Sequence, residues 1–258
     1  MLSAGAGALV PRTGAEWGWA SVQRRDDGSP GAGAAPGAWP PRPATGAAGE
    51  GRGPGELGRP FRVLFVCTGN ICRSPMAEWL CLTELRGQLG PAASGFALAS
   101  AGTHALVDEP MHPHAVRALA ELGVKAAGSF GRQLDAGAVD RADLVLCATR
   151  EHRSEVLTEN PRALRRTFTL REFHRATAGL DPAQLDGRDA QAAMRSLVEQ
   201  AAARRGWTAA GPQTDDDLGD PYGAPLEAFR VCASLIREAL AGPVSLVAAA
   251  AGKRGPVT

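Results

Sequence analysis

Short apolar runs alternate with stretches of helical period through the middle of the chain. Residues 61–66 are apolar apart from Arg62 and read as a buried strand. Beyond a loop, Pro75 suits the first turn of a helix, where its missing N–H costs nothing, and Met76, Leu80 and Leu85 fall roughly on one face. Residues 96–102 predict a second strand. Residues 113–122 predict a compact helix, with Pro113 at its start, Val116, Leu119, Ala120 and Leu122 as its apolar positions, and Gly123 just past its end. Residues 143–148 predict a third strand, apolar on both faces as in a parallel sheet. A helical stretch over 150–158 stops at Pro161, and 167–170 predicts a fourth strand. Residues 189–205 carry Met194, Leu197, Val198, Ala201 and Ala202 at helical spacing. A last helix over 225–240 carries Leu226, Phe229, Ala233, Ile236 and Leu240.

Strands that alternate with helices predict an α/β fold with a parallel sheet. In such sheets the ligand site lies beyond the carboxyl ends of the strands. The flanks differ. Residues 1–60 hold 14 Gly and 8 Pro, a composition that reads as disordered. Pro40-Pro41-Arg42-Pro43 is a linker or a polyproline ligand, and Trp17, Trp19 and Trp39 are unusual in such a tail. The expected organisation is a tail over 1–60, one domain over 61–241 and a fraying Ala/Gly/Pro-rich tail over 242–258. A net charge of +1 gives no reason to expect nucleic acid. No apolar run of membrane-spanning length and no secretory leader pattern is evident, so neither a membrane nor export is expected. The five cysteines, Cys67, Cys72, Cys81, Cys147 and Cys232, are odd in number and irregularly spaced. They fit reduced thiols in the cytoplasm better than a disulfide scaffold or zinc knuckles.

One stretch carries chemistry. Val63-Leu64-Phe65-Val66 runs into Cys67-Thr68-Gly69-Asn70-Ile71-Cys72-Arg73-Ser74-Pro75, which reads as strand, anion cradle and helix start. Loop amides and a helix N-terminus favour an anion. Gly69 and Asn70 tolerate the left-handed backbone that turns amides inward. Cys67 stands where a thiolate could attack phosphorus. Arg73 suits a two-pronged grip on phosphate oxygens. Cys72 is either a trap for oxidised Cys67 or a small packing residue. Cys81, Cys147 and Cys232 read as core. His112 and His114 read as helix-start residues rather than metal ligands, and nothing functional is expected of His104 or His152.

Cys, five residues, Arg and Ser form the phosphate loop of cysteine-dependent phosphatases, and the fuller string Val66 to Glu78 closely resembles the low-molecular-weight protein tyrosine phosphatase family. The resemblance implies a three-layer sandwich around a four-stranded parallel sheet, no metal and no cofactor, and a phosphorylated protein as substrate. It implies that Asn70 braces the loop and that Ser74 stabilises the Cys67 thiolate. It makes Asp220, in Asp220-Pro221-Tyr222, the proton donor and Tyr222 a pocket wall, with Thr68, Gly69, Asn70, Ile71, Cys72 and Ser74 around the phosphate. Relatives carry a second aromatic where this chain has Gly223, and residues 177–213 exceed the family's usual length. The helix at 189–205 either caps the site or packs on the flank. Asp215, Asp216 and Asp217 read as a solvated run. The protein-arginine phosphatases, a branch of the family, have Thr where this chain has Ile71, which tilts the expectation toward phosphotyrosine. Arsenate reductase shares the loop but needs a cysteine relay, and Cys147 has no near partner in sequence. A non-catalytic phospho-binding module would normally have lost the nucleophile or the acid.

Overall fold

The computed structural model describes residues 59–205 and 216–252. Most of the expected tail over 1–60, together with Asp215 and the end of the expected insertion, lies outside the described residues. The strands β1 (Phe61–Cys67), β2 (Phe96–Gly102), β3 (Leu144–Cys147) and β4 (Thr167–Thr169) form one parallel sheet in the order β2-β1-β3-β4. The helices among the described residues are α1 (Arg73–Leu89), α2 (Pro113–Glu121), α3 (Ala136–Arg141), α4 (Arg150–Glu159), α5 (Leu170–Thr177), α6 (Ala190–Arg204) and α7 (Leu226–Gly252).

Strand β1 shows why its sequence is apolar almost throughout. Phe61, Val63, Phe65 and Cys67 enter a core shared with α1, α2, α5, α6 and α7, while Leu64 and Val66 enter a second core with α3 and α4. Period-two alternation therefore buries both faces of the strand. The result is a three-layer α/β sandwich in which β1 delivers Cys67 to the carboxyl edge of the sheet.

Two elements escaped the hydrophobic pattern. Helix α3 is six residues long and starts at Asp135, whose carboxylate accepts from the Ala138 N–H at 2.7 Å. Leu170, expected to end β4, instead opens α5. There Thr169 Oγ1 accepts from the Glu172 N–H at 3.0 Å and the Glu172 carboxylate accepts from the Thr169 N–H at 3.2 Å, a reciprocal cap.

The C-terminal segment departs most from expectation. Residues 242–252 do not fray but continue α7 through Pro243 to Gly252. Val244, Val247 and Ala250 extend the stripe begun by Ile236 and Leu240, and all are buried. Helix α7 packs on α6 and the short turn Pro182–Gln184, both inside the expected insertion, and Gly187 of that segment lies close to the Ala250 carbonyl. Apolar contact there offsets the hydrogen bond that Pro243 cannot make. Among the described residues α7 is the one helix long and apolar enough to cross a membrane by length and composition. Here it packs against α1, α2, α5 and α6.

The same contacts place α6. Its Arg195 guanidinium lies over the Phe61 ring, 5.4 Å from the centroid, at the first residue of β1. Gln191 crowds Gly95, just before β2. Helix α6 therefore lies on the flank at the amino edge of the sheet, opposite Cys67, and does not cap the site. Val247→Ala should cost about 2 kcal/mol, read as a fall of several degrees in melting temperature; an unchanged melting temperature would contradict the packing of this segment.

Candidate active site

The loop between β1 and α1 takes its shape from where its carbonyls go. The carbonyls of Cys67, Thr68, Gly69 and Ile71 accept from the N–H groups of Thr103, His104, Leu106 and His112 at 2.8–3.0 Å. A trans peptide points its C=O and the next N–H in opposite directions. With those carbonyls turned toward residues 103–112, the N–H groups of Thr68, Gly69, Asn70 and Cys72 face the other way. Helix α1 begins there with no side-chain cap and no acidic residue in its first turn, so its N-terminal N–H groups are open to an anion. Gly102, at the end of β2, permits this close approach, because a Cβ there would lie 2.3 Å from the Thr68 carbonyl oxygen.

Asn70 is buried with φ 54°, one of two non-glycine residues in the left-handed region among those described. Its Oδ1 accepts from the Arg132 N–H and its Nδ2 donates to Ser74 Oγ, both at 2.8 Å. With an oxygen lone pair of Ser74 so engaged, its hydroxyl hydrogen is free to point at Cys67 Sγ, 2.9 Å away. Cys67 and Ser74 are both buried, and Ser74 Oγ also lies 3.4 Å from the Ala101 carbonyl oxygen.

Arg73 reaches the far partner. Its Nη2 donates to Asp220 Oδ2 at 2.7 Å and to Thr68 Oγ1 at 3.2 Å, and its Nη1 donates to the Leu218 carbonyl at 3.2 Å. Its Nε is buried and makes no hydrogen bond. The segment bearing Asp220 is pinned from several sides. The Leu218 N–H donates to the Ala148 carbonyl at the end of β3, at 2.9 Å. The Asp217 carboxylate takes the Arg150 N–H at 2.8 Å and Arg150 Nη2 at 3.0 Å, and Asp216 pairs with Arg175. Asp216 and Asp217 are thus anchors of the acid loop rather than a solvated run. Burial opposes the charge on Asp217, but its hydrogen bonds with Arg150 hold the carboxyl below the usual range.

Tyr222 is exposed to 55% beside Asp220. The position after it, Gly223, has φ 75°, which a second aromatic could adopt only with strain. The ring neighbours of Tyr222 come from elsewhere. The His112 ring meets Tyr222 edge-on at 6.0 Å and stacks on Phe229 at 4.7 Å. His112 is the N-cap of α2 as well, its Nδ1 accepting from the His114 N–H at 3.2 Å. His152, which drew no functional expectation, also belongs here. Its Nε2 lies 2.8 Å from Thr68 Oγ1 and its Nδ1 lies 2.7 Å from Thr149 Oγ1. Burial, then the charge of Arg73, lower its pKa to about 4, so the ring is neutral at pH 7. Thr149 three residues before His152, after a buried strand, was the available signal, since that spacing marks an N-cap.

Cys72 is buried between the loop and α1. Burial, then Cys67 and Asp220, push its thiol up, and Arg73 opposes them. Cys81, Cys147 and Cys232 are buried free thiols, as the sequence implied. Ile71 is 7% exposed, with its side chain close to Gly69.

A parallel α/β fold with a thiol at a strand's carboxyl end, a helix N-terminus, an arginine and a distant carboxyl brought together defines the class of cysteine-based phosphatases. The chain belongs to the low molecular weight phosphotyrosine protein phosphatase family, whose model matches residues 62–204. A protein-arginine-phosphatase of Geobacillus stearothermophilus is 32% identical over 171 residues, 66% of this chain and 85% of the relative. The low molecular weight protein-tyrosine-phosphatase Etp of Escherichia coli is 37% identical over 111 residues, 43% of this chain and 70% of the relative. A solved low molecular weight protein tyrosine phosphatase from T. tengcongensis superposes with a TM-score of 0.50 at 29% identity, covering 72% of this chain and 96% of that one.

One half-buried acid lies on α1 beyond the loop. Glu78 lies one turn beyond Ser74 on α1, and its Oε2 accepts from Ser100 Oγ at 2.7 Å. Burial raises its pKa from 4.5 to about 7, against the pull of Ser100 and Arg132. The folded protein therefore keeps a proton here that the unfolded chain gives up, so this residue makes stability fall as pH rises from 4.5 to about 7. Glu78→Gln should melt at the wild-type temperature at pH 4.5 and above it at pH 8. Scanning calorimetry of both proteins at the two pH values checks this, and an equal melting temperature at pH 8 would contradict it.

Proposed function

We propose that this chain hydrolyses phosphotyrosine in proteins through a phosphocysteine on Cys67, without a metal. The observation that carries the reading is the 2.7 Å pair between Arg73, of the Cys67 loop, and Asp220, 147 residues away. It brings a proton source to the mouth of an anion cradle that already holds a thiol.

In the proposed first step the Cys67 thiolate attacks phosphorus. The P–S bond forms, the P–O bond to the substrate ring breaks, and the Asp220 carboxylic acid gives its proton to the leaving oxygen. The loop N–H groups, the start of α1 and the Arg73 fork take the negative charge of the equatorial oxygens. That assignment gives the unpaired Arg73 Nε a partner and moves Nη2 from Asp220 to phosphate. In the second step Asp220, now carboxylate, takes a proton from water. The water oxygen attacks phosphorus and the P–S bond breaks. Ser74 donates to the departing thiolate, and inorganic phosphate leaves. Charge is balanced by Arg73 and backbone amides throughout, so the scheme calls on no cation. The five free thiols fit a reducing cytoplasmic setting.

Substrate choice is argued from Ile71 and the aromatic wall. The buried Ile71 side chain lies against Gly69 of the Cys67 loop and brings it no polar group, and Tyr222 with His112 would offer faces for a phenyl ring. Protein-arginine phosphatase activity is the second reading, favoured by the Geobacillus relative. A guanidinium leaving group gains nothing from Ile71. The arsenate reductase reading lacks support, because Cys147 is fully buried in β3, where burial pushes its thiol up.

Assays on p-nitrophenyl phosphate with chelator present should show no turnover for Cys67→Ser and a loss of about 10²–10⁴-fold in kcat for Asp220→Asn. Full activity of Cys67→Ser, or dependence on added metal, would overturn the scheme. With phosphotyrosine and phosphoarginine peptides, the wild type should prefer phosphotyrosine and Ile71→Thr should move the ratio toward phosphoarginine. Equal turnover of the two peptides by the wild type contradicts the assignment of substrate.

A further inference from the structure

Arg73 has one partner it must give up and one it can keep. In the scheme above, on which this inference rests, Asp220 leaves Nη2 when phosphate arrives. Thr68 Oγ1, the other acceptor of Nη2, belongs to the loop itself and stays. Thr68 is exposed at the pocket rim, and a hydroxyl there has no reason of its own to stand still. What fixes it is His152 Nε2 at 2.8 Å, from a ring only 4% exposed. The ring is fixed in turn by Thr149 Oγ1 at 2.7 Å on Nδ1, and Thr149 caps α4 by accepting from the His152 N–H at 3.3 Å. The chain of contacts therefore runs from the start of α4, through an immobile neutral imidazole, to the guanidinium that binds the anion.

We propose that His152 is a positioning residue: through Thr68 it braces the Arg73 guanidinium while Arg73 exchanges Asp220 for a phosphate oxygen. The brace acts at a distance from the reacting atoms, since His152 touches Thr68 and not the anion. It fixes the plane of the fork, on which a two-pronged grip depends more than a point charge would. It also explains the otherwise unused buried histidine. A neutral ring beside Arg73 braces without repelling the guanidinium.

The two ring nitrogens can be tested apart. In His152→Gln the amide reaches the position of Nε2, so Thr68 keeps its partner. In His152→Asn the amide reaches only the position of Nδ1, so Thr149 keeps its partner and Thr68 loses one. Inorganic phosphate binding, measured by calorimetry on the full chain, should weaken by about tenfold in His152→Asn and Thr68→Val, the worth of one hydrogen bond in a charged network. Binding should stay within about threefold of wild type in His152→Gln and Thr68→Ser. The Thr68→Val, His152→Asn double variant should bind no worse than Thr68→Val alone, because both remove the same link. Melting temperatures separate loss of the brace from loss of the fold. Equal losses in the two His152 variants, additive losses in the double variant, or wild-type affinity in Thr68→Val would overturn the brace. Because phosphate binding is read directly, these outcomes hold whether or not aryl phosphates are turned over. The turnover of the wild type and of Cys67→Ser judges the phosphatase scheme separately.

Discussion

Everything at the site depends on one residue held in an uncomfortable backbone conformation. Asn70 sits at φ 54°, a left-handed region that asparagine visits at less cost than most non-glycine residues. Two side-chain hydrogen bonds, one to Ser74 and one from the Arg132 backbone, offset that cost. With Asn70 in place the loop carbonyls turn toward residues 103–112, the N–H groups turn inward, and Ser74 has its hydrogen to spare for Cys67. The strand end sets the thiol, and the Asn70 twist goes with the inward N–H groups and the placed Ser74 hydroxyl.

The second constraint is that Arg73 serves two masters. Its guanidinium fastens the Asp220 segment to the Cys67 loop through Asp220 and Leu218, yet in the proposed scheme the same group also grips phosphate. The fold reconciles the demands by tying the acid loop independently. Leu218 hydrogen-bonds to the end of β3, Asp217 to Arg150 and Asp216 to Arg175, so Asp220 stays near when Arg73 lets go. At the opposite edge of the sheet α6 and the last turns of α7 cover each other. They enlarge the core without reaching Cys67, which is how an insertion and an extension can be added to a fold whose chemistry stays at the other edge.

What could be read in the sequence follows from range. The strand, the loop and the helix start fall within residues 61–75, so alternation, loop residues and the Pro75 signal act locally and were legible. Asp220 was legible because it carries its own local mark, a following proline and aromatic. His152 was not, because its partner Thr68 is 84 residues away and is chosen by the pairing of β1 with β3. Asp216 and Asp217 looked solvated because the arginines that hold them come from α5 and α4. Residues 242–252 looked like a fraying tail because composition alone reports weak side chains. It does not report that α7 packs on the insertion and that Val244 and Val247 are buried. Where Gly223 carries no ring, the ring that meets Tyr222 is His112, which sequence pattern could mark only as a helix start.

The central claim is that phosphate passes through a covalent bond to Cys67. In the proposed scheme Asp220→Asn should slow both steps, so rapid quenching of that variant during turnover of an aryl phosphate, followed by peptide mass spectrometry in conditions that spare thiophosphates, tests it most directly. The account predicts one phosphoryl group on the peptide containing Cys67 and none in Cys67→Ser. Steady turnover with no phosphorylated peptide, or with the phosphoryl group on another residue, would contradict it.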